Sequence, residues 1–255
     1  MKKYILLLLL FSITFTNAQT KAFKKGEVLQ YRVSYSNFFN AGSATLKVTE
    51  TTNNGKEAFH IIGKGKTTGV TGWFFKVKDI YQSYFYKESL LPYRFLRKIN
   101  EGGHTKNKEV LFNQAAKKAR VKDHKHKTEG SYTTHRNVQD MISTLYFLRS
   151  HDVSKMKPGD VVKLTMFFDE KNFPFKLKLL GREVITTKFG KVAAVKFRPI
   201  VQAGRVFKEK ESITVWVSDD KNKIPLRIKA SLAVGSLRAD LNMYKGLKNS
   251  FPIIF

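Results

Sequence analysis

Between Phe173 and Leu180 the chain reads Phe-Pro-Phe-Lys-Leu-Lys-Leu-Leu, which sets Phe173, Phe175, Leu177 and Leu179 against Lys176 and Lys178. The repeat has a period of two. Only an extended strand sends successive side chains to opposite faces, so one side of this segment is dry and the other faces water. The same pattern continues outward in both directions. Leu29, Tyr31, Val33 and Tyr35 alternate with Gln30, Arg32 and Ser34, and Ala44, Leu46 and Val48 repeat the pattern. Asn53-Asn54-Gly55-Lys56 follows, where an Asn-Gly pair supplies the positive φ of a tight hairpin turn. Further strands are expected over 57–66, 76–86, 93–100, 105–112 and 117–122, then over 161–168, 173–180, 182–187, 191–200, 206–217, 224–234 and 236–244. Gly102-Gly103 and Lys157-Pro158-Gly159-Asp160 supply turn chemistry between them. The expected fold class is mainly β: a large curved antiparallel sheet or barrel-like domain of about fourteen strands.

One segment has a different period. Val138, Met141, Ile142, Leu145 and Leu148 recur at intervals of three and four, which places them on one face of a helix between Asn137 and Ser150. Asn137 is the expected N-cap, and Arg149 suits the negative end of the helix dipole. A single apolar stripe of this kind is expected to pack against the sheet.

The chain has 255 residues, of which 47 are Lys or Arg and 20 are Asp or Glu, for a net charge of +27. Hydrophobic residues make up 42% and aromatics 13%, enough apolar surface for a packed core rather than a disordered basic tail. Cysteine is absent, which removes disulfide scaffolds, Cys-ligated metal centres and thiol catalysis. The opening Met-Lys-Lys is followed by an apolar run from Tyr4 to Phe15, with small residues at Thr16 and Ala18. This reads as an export signal over 1–18, cut after Ala18, and it is too short to span a bilayer. A single β-rich domain is expected over 19–255, in the periplasm or associated with an outer membrane.

The segment Trp216 to Leu241 reads WVSDDKNKIPLRIKASLAVGSLRADL, with Trp216, Ser218, Asp219, Asp220, Pro225, Gly235 and Leu241 at characteristic spacing. It resembles the bacterial envelope family known as domain of unknown function 3108. The segments GEVLQYRVSY, NAGSATLKV, NVQDMISTLYFLR, KPGD and GREVITTKFGKV are also similar to that family, so the resemblance runs from Gly26 to Leu241. It implies an exported, mostly antiparallel β protein, with no reaction and no catalytic residues to transfer. Physically, Ser218, Asp219 and Asp220 ahead of Lys221-Asn222-Lys223 read as a structural Asx-type turn between two strands, rather than as a catalytic carboxylate pair.

Residues able to carry chemistry are few. His124, His126 and His135 lie close together, but the lysines around them repel a dication, and no metal site is expected. His151-Asp152 follows the helix without any nucleophile signature, and Gly63-Lys64-Gly65-Lys66-Thr67-Thr68 lacks the spacing of a phosphate loop. No cofactor is expected. In Gly69-Val70-Thr71-Gly72-Trp73-Phe74-Phe75-Lys76 the aromatics do not alternate, so Trp73, Phe74 and Phe75 are candidate ligand-binding residues at the mouth of a barrel, or a plug that closes it.

The function that best fits is a non-enzymatic binding or carrier module for an apolar or amphipathic envelope ligand such as a lipid. Its basic surface would be drawn to anionic lipid or an anionic envelope polymer, with peripheral membrane contact. Two alternatives remain: an integral outer-membrane β-barrel, for which the aromatic C-terminus speaks, and an envelope hydrolase. Export and the absence of any such motif exclude nucleic acid as a partner.

Overall fold

The computed structural model describes residues 22–36, 39–69, 75–200, 213–232 and 235–254. The expected export signal, Trp73 and Phe74 lie outside these residues. The first half of the chain forms β1 (Val28–Tyr35), β2 (Phe39–Asn53), β3 (Lys56–Thr67), β4 (Lys78–Tyr86), β5 (Pro92–Glu101), β6 (His104–Asn113), β7 (Lys118–Asp123) and β8 (Thr128–Thr133). Helix α1 (Met141–Ser150) follows. The second half forms β9 (Val161–Phe168), β10 (Lys171–Thr187), β11 (Gly190–Ile200), β12 (Ile213–Ser218), β13 (Pro225–Ser231) and β14 (Ser236–Lys245).

All fourteen strands belong to one antiparallel sheet in the order β8-β7-β6-β5-β4-β3-β2-β1-β14-β13-β12-β11-β10-β9. Each half is a meander of neighbouring hairpins, and the pairing of β1 with β14 joins them. The Asn54-Gly55 turn has φ of 49° and 74°, as a two-residue hairpin between β2 and β3 requires. The sheet curves into a barrel-like shape whose backbone ladder does not close. The two edge strands, β8 and β9, meet through other contacts. The chain after β8 forms a parallel bridge between Gln139 and Met166, Asn172 donates to the Thr133 carbonyl at 2.9 Å, and Arg97 and Lys108 on the far side form ion pairs with Asp169 and Glu170. Side chains and one short bridge thus cover edges that would otherwise expose unpaired backbone.

The strand count agrees with the sequence pattern, but two of the strands do not. The segments 173–180 and 182–187 form one continuous strand, β10. A register shift between Leu179 and Gly181 marks a bulge that resets the alternation without ending the strand. β8 shows only Gly130 and Tyr132, both half-buried, to the interior, too little apolar alternation for periodicity to reveal it. The helix also begins later than expected. Its N-cap is Asp140, whose side chain accepts from Ile142 and Ser143 N–H, while Ser143 Oγ accepts from Asp140 N–H in a capping box. Asn137 instead sits in a turn at φ 56°.

β14 ends at Lys245, and the chain after it folds back over the second half. Phe251 stacks on Tyr244 with ring centroids 4.4 Å apart and packs against Phe189, while Ile254 bridges to Lys191. The aromatic C-terminal region is therefore a tail packed on the sheet rather than a closing barrel strand.

Candidate functional site

The interior is filled unevenly, and the large side chains decide where. The first half contributes Phe59, Phe85, Phe95 and Phe112, joined by Phe23 ahead of β1, and these pack around Ile142 and Tyr146 of α1. Phe23 lies 4.6 Å from Tyr146, edge to face. The second half presents mainly aliphatic residues to the interior, including Val162, Leu177, Val195 and Val217, with Phe175 and Phe197 as its large side chains there. The helix is thus drawn onto the first half. The rest of its apolar stripe, Met141, Leu145 and Leu148, faces the second half and borders an open space, with Leu148 packed against the second-half core.

That space is a cleft of about 230 Å³ between α1 and the inner face of β9–β13. Its far wall includes Phe175, Leu177, Phe197, Val215 and Ile228. Because α1 has ten residues, the cleft runs alongside a helix about 15 Å long. Its chemistry changes from one end to the other. Met141 and Ile228, both partly exposed, stand at the apolar end, whereas Arg149, His151, Ser218, Asp219, Asp220 and Lys223 gather at the helix C-terminus.

The polar end is fixed by a buried cluster. Arg149 and Glu27 are both nearly inaccessible, and the guanidinium grips the carboxylate bidentately, with Nη1 to Oε1 at 2.6 Å and Nη2 to Oε2 at 2.9 Å. Arg149 Nε and Nη2 also donate to the Asn222 carbonyl at 3.2 and 3.1 Å. The rings of Phe23 and Tyr146 lie beside the same guanidinium, at 5.5 and 5.2 Å. Tyr31 and Tyr146 are buried next to this pair. Burial pushes both phenols far above their usual range, so they stay neutral.

Ser218, Asp219 and Asp220 lie in the turn from β12 to β13. Ser218 Oγ donates to Asp220 Oδ1 at 2.6 Å and accepts from Ile224 N–H at 2.8 Å. Asp220 Oδ1 also accepts from the N–H groups of Asn222 and Lys223. Asp219 forms an ion pair with Arg182 at 3.1 Å. Asn222, fully buried, ties this turn to the C-terminal tail. Its Nδ2 donates to Asp220 Oδ2 and to the carbonyls of Asn249 and Ser250, and its Oδ1 accepts from Asn249 N–H.

Of the three candidate mouth residues only Phe75 is described. It stands 52% exposed ahead of β4, with its ring against Gly102, and does not line the cleft. His124 and His126 engage different carboxylates, Glu109 at 3.2 Å and Asp123 at 2.9 Å, and among the described residues no group of three metal-ligating side chains converges. His151 caps α1, its N–H donating to the Leu148 carbonyl. Glu27 and Asn222 carry much of the site and left no signal in the local sequence pattern.

A titratable group holds the other end of the helix. Asp140 is wholly buried and accepts from Ser83 Oγ at 2.6 Å. Burial raises its pKa from 3.8 to about 6, although its hydrogen bonds oppose the shift. The folded state therefore binds this proton more tightly than the unfolded chain does, and stability falls as pH rises from about 4 to about 6. A shift of this size is worth about 3 kcal/mol. Asp140→Asn keeps the cap and can still pair with Ser83. The difference in urea midpoint between the parent and this variant should grow in the variant's favour across that pH window. A constant difference would contradict the assignment.

Residues 30–242, most of the chain, match the protein family of unknown function DUF3108. No curated protein sequence matches. Among solved structures, a beta-barrel-like protein of the domain of unknown function DUF1849 from Brucella abortus is 9% identical, with a TM-score of 0.56 over 89% of this chain and 100% of the other. A protein from Bacteroides fragilis described as exported, with a YmcC-like fold, is 10% identical, with a TM-score of 0.37 over 87% and 96%. A protein from Parabacteroides distasonis described as a lipoprotein is 11% identical, with a TM-score of 0.40 over 88% and 98%. The Brucella likeness establishes a shared fold, and the match over residues 30–242 places the chain in the DUF3108 family.

Proposed function

We propose that this protein is an exported, non-enzymatic carrier that holds one acyl chain of an amphipathic envelope molecule in the cleft between α1 and β9–β13. The carrying observation is the cleft itself. It is walled by aliphatic, aromatic and methionine side chains, and its polar groups are gathered at a single end. Apolar walls of this kind hold water poorly and gain free energy when a hydrocarbon covers them. The polar end suits a headgroup that remains hydrated.

A hydrolase has less support, because Asp219 is held by Arg182 and Asp220 is spent on the turn. An outer-membrane barrel has less support as well. Such a barrel needs a closed ladder and an apolar outer band. Here the ladder is open at β8 and β9, and Lys64, Lys98 and Lys176 stand exposed on the strands.

Mass spectrometry of an organic extract from the purified protein should find a fatty acid or phospholipid in stoichiometric amount. A fluorescent fatty acid should bind and be displaced by unlabelled acyl chains. Leu145→Trp, which enlarges a side chain lining the cleft, should weaken the probe at least about tenfold while the protein still unfolds cooperatively. Empty extracts, together with no probe binding by the parent protein, would overturn the carrier reading.

A further inference from the structure

The end of the sheet where β1 turns into β2, β3 into β4 and β13 into β14 combines two features that a soluble surface ordinarily avoids. The first is apolar. Phe39 is 70% exposed and Phe75 52% exposed, both at this rim. Register connects Phe39 to the cleft: Phe39 opposes Tyr35, Tyr35 opposes Leu237, and Leu237 opposes Ala230. Tyr35 and Leu237 lie on the same face as the buried Tyr31 and Leu241, so this row is on the inside of the sheet. Ile228, at the open end of the cleft, is two residues along β13 from Ala230, or about 7 Å. An apolar track therefore leads from the cleft to the rim.

The second feature is charge. On the outer wall beneath the rim, Lys66 of β3 stands directly opposite Lys78 of β4, with Lys64 and Lys98 close by, and all four are exposed. Like charges facing each other across strands destabilise a sheet. None of the four has a carboxylate partner among the described residues. Of the carboxylates at this end, Asp169 pairs with Arg97, Glu170 with Lys108 and Asp123 with His126, while Asp79 is buried on the inner face beside Glu101. The unpaired positive charge therefore projects outward, beside the exposed phenylalanines.

We propose that this rim docks on an anionic lipid bilayer, with Phe39 and Phe75 inserted at headgroup level and Lys66, Lys78 and Lys98 against lipid phosphates. Aromatic side chains flanked by lysines are the composition that favours a membrane interface. The track from rim to cleft gives an acyl chain an apolar path along the inner face of the sheet. That route rests on the carrier reading above, whereas the docking is measured separately.

The test uses protein purified from the envelope of cells that express the full chain, sedimented with vesicles of phosphatidylcholine alone or mixed with phosphatidylglycerol. Binding should require phosphatidylglycerol and weaken as salt shortens the screening length. Each lysine near such a surface contributes about fivefold in affinity, so Lys66→Gln with Lys78→Gln should bind about 25-fold more weakly. Phe39→Ser with Phe75→Ser should lose the binding that remains at high salt. Leu145→Trp should sediment like the parent while failing to take the fatty-acid probe. If neither the parent nor this variant takes the probe while the parent still sediments with the phosphatidylglycerol vesicles, docking stands and the carrier reading falls. Equal binding to neutral vesicles, no binding at low salt, or indifference to the lysine substitutions would overturn the docking. So would a soluble anionic polysaccharide that competes fully with vesicles while the phenylalanine substitutions change nothing.

Discussion

Arg149→Met is expected to lower stability by about 3–5 kcal/mol, which for a chain of this length is a fall of about 6–20 °C in melting temperature. The substitution removes little volume, so a cavity does not explain the loss. It leaves the Glu27 carboxylate buried without either of its guanidinium hydrogen bonds, and it strips the Asn222 carbonyl of two donors. An uncompensated buried charge is among the most costly defects a fold can carry. The pair as a whole is another matter. Replacing both partners, Glu27→Met with Arg149→Met, removes the charge and its desolvation cost together, and should recover most of the lost stability. If the single substitution costs less than about 1 kcal/mol, or if the double variant is no better than the single, the buried pair is not what pins α1. The substitution also bears on the cleft. Arg149 holds the last turn of the helix to the entry of β1 and to the β12–β13 turn, so a loosened helix end should broaden the cleft even in the folded fraction.

That pair also explains why so much of the site escapes a reading of the sequence. Strands with one wet face declare themselves through alternation, as Phe175, Leu177 and Leu179 do. β8 does not, because Thr128–Thr133 is a mostly exposed edge strand whose inner side carries only Gly130 and Tyr132. α1 is legible as a helix, yet its start is displaced. Val138 is buried in the approach to β9 and happens to fall on helical spacing with Met141 and Ile142. The same stripe reads as simple packing, since its two halves differ only in what they face: Ile142 is enclosed by bulky aromatics, whereas Leu145 and Leu148 pack at the core's edge and line the cleft. Which half of a barrel is overfilled is a property of the whole interior. Glu27 and Arg149 are 122 residues apart, so no local window contains their partnership. Asn222 reads as one more polar residue in a turn, and only the returning tail makes it a buried one.

Asn222→Asp, which changes one atom, is expected to cost about 3–5 kcal/mol at neutral pH. Nδ2 donates to three acceptors: Asp220 Oδ2 at 2.7 Å and the carbonyls of Asn249 and Ser250 at 3.1 and 3.0 Å. A carboxylate oxygen there meets three acceptors with nothing to donate, and one of them is itself a carboxylate within a fully buried site. The new group can relieve the repulsion only by holding a proton, which raises its pKa in the folded state. The sign of the pH dependence follows. Below the folded pKa the proton is bound and supplies one donor, so the deficit relative to the parent should shrink as pH falls and reach its full size at pH 7. Asn222→Ala lacks the charge and should show a deficit that does not change with pH. Both variants should release the tail that carries Phe251 from Tyr244 and Phe189, so limited proteolysis should remove the C-terminus while the sheet remains intact. A deficit for Asn222→Asp that is flat with pH and equal to that of Asn222→Ala would mean that the turn and the tail are joined by packing alone. The polar end of the cleft would then rest on Arg149 and Glu27 without the support of Asn222.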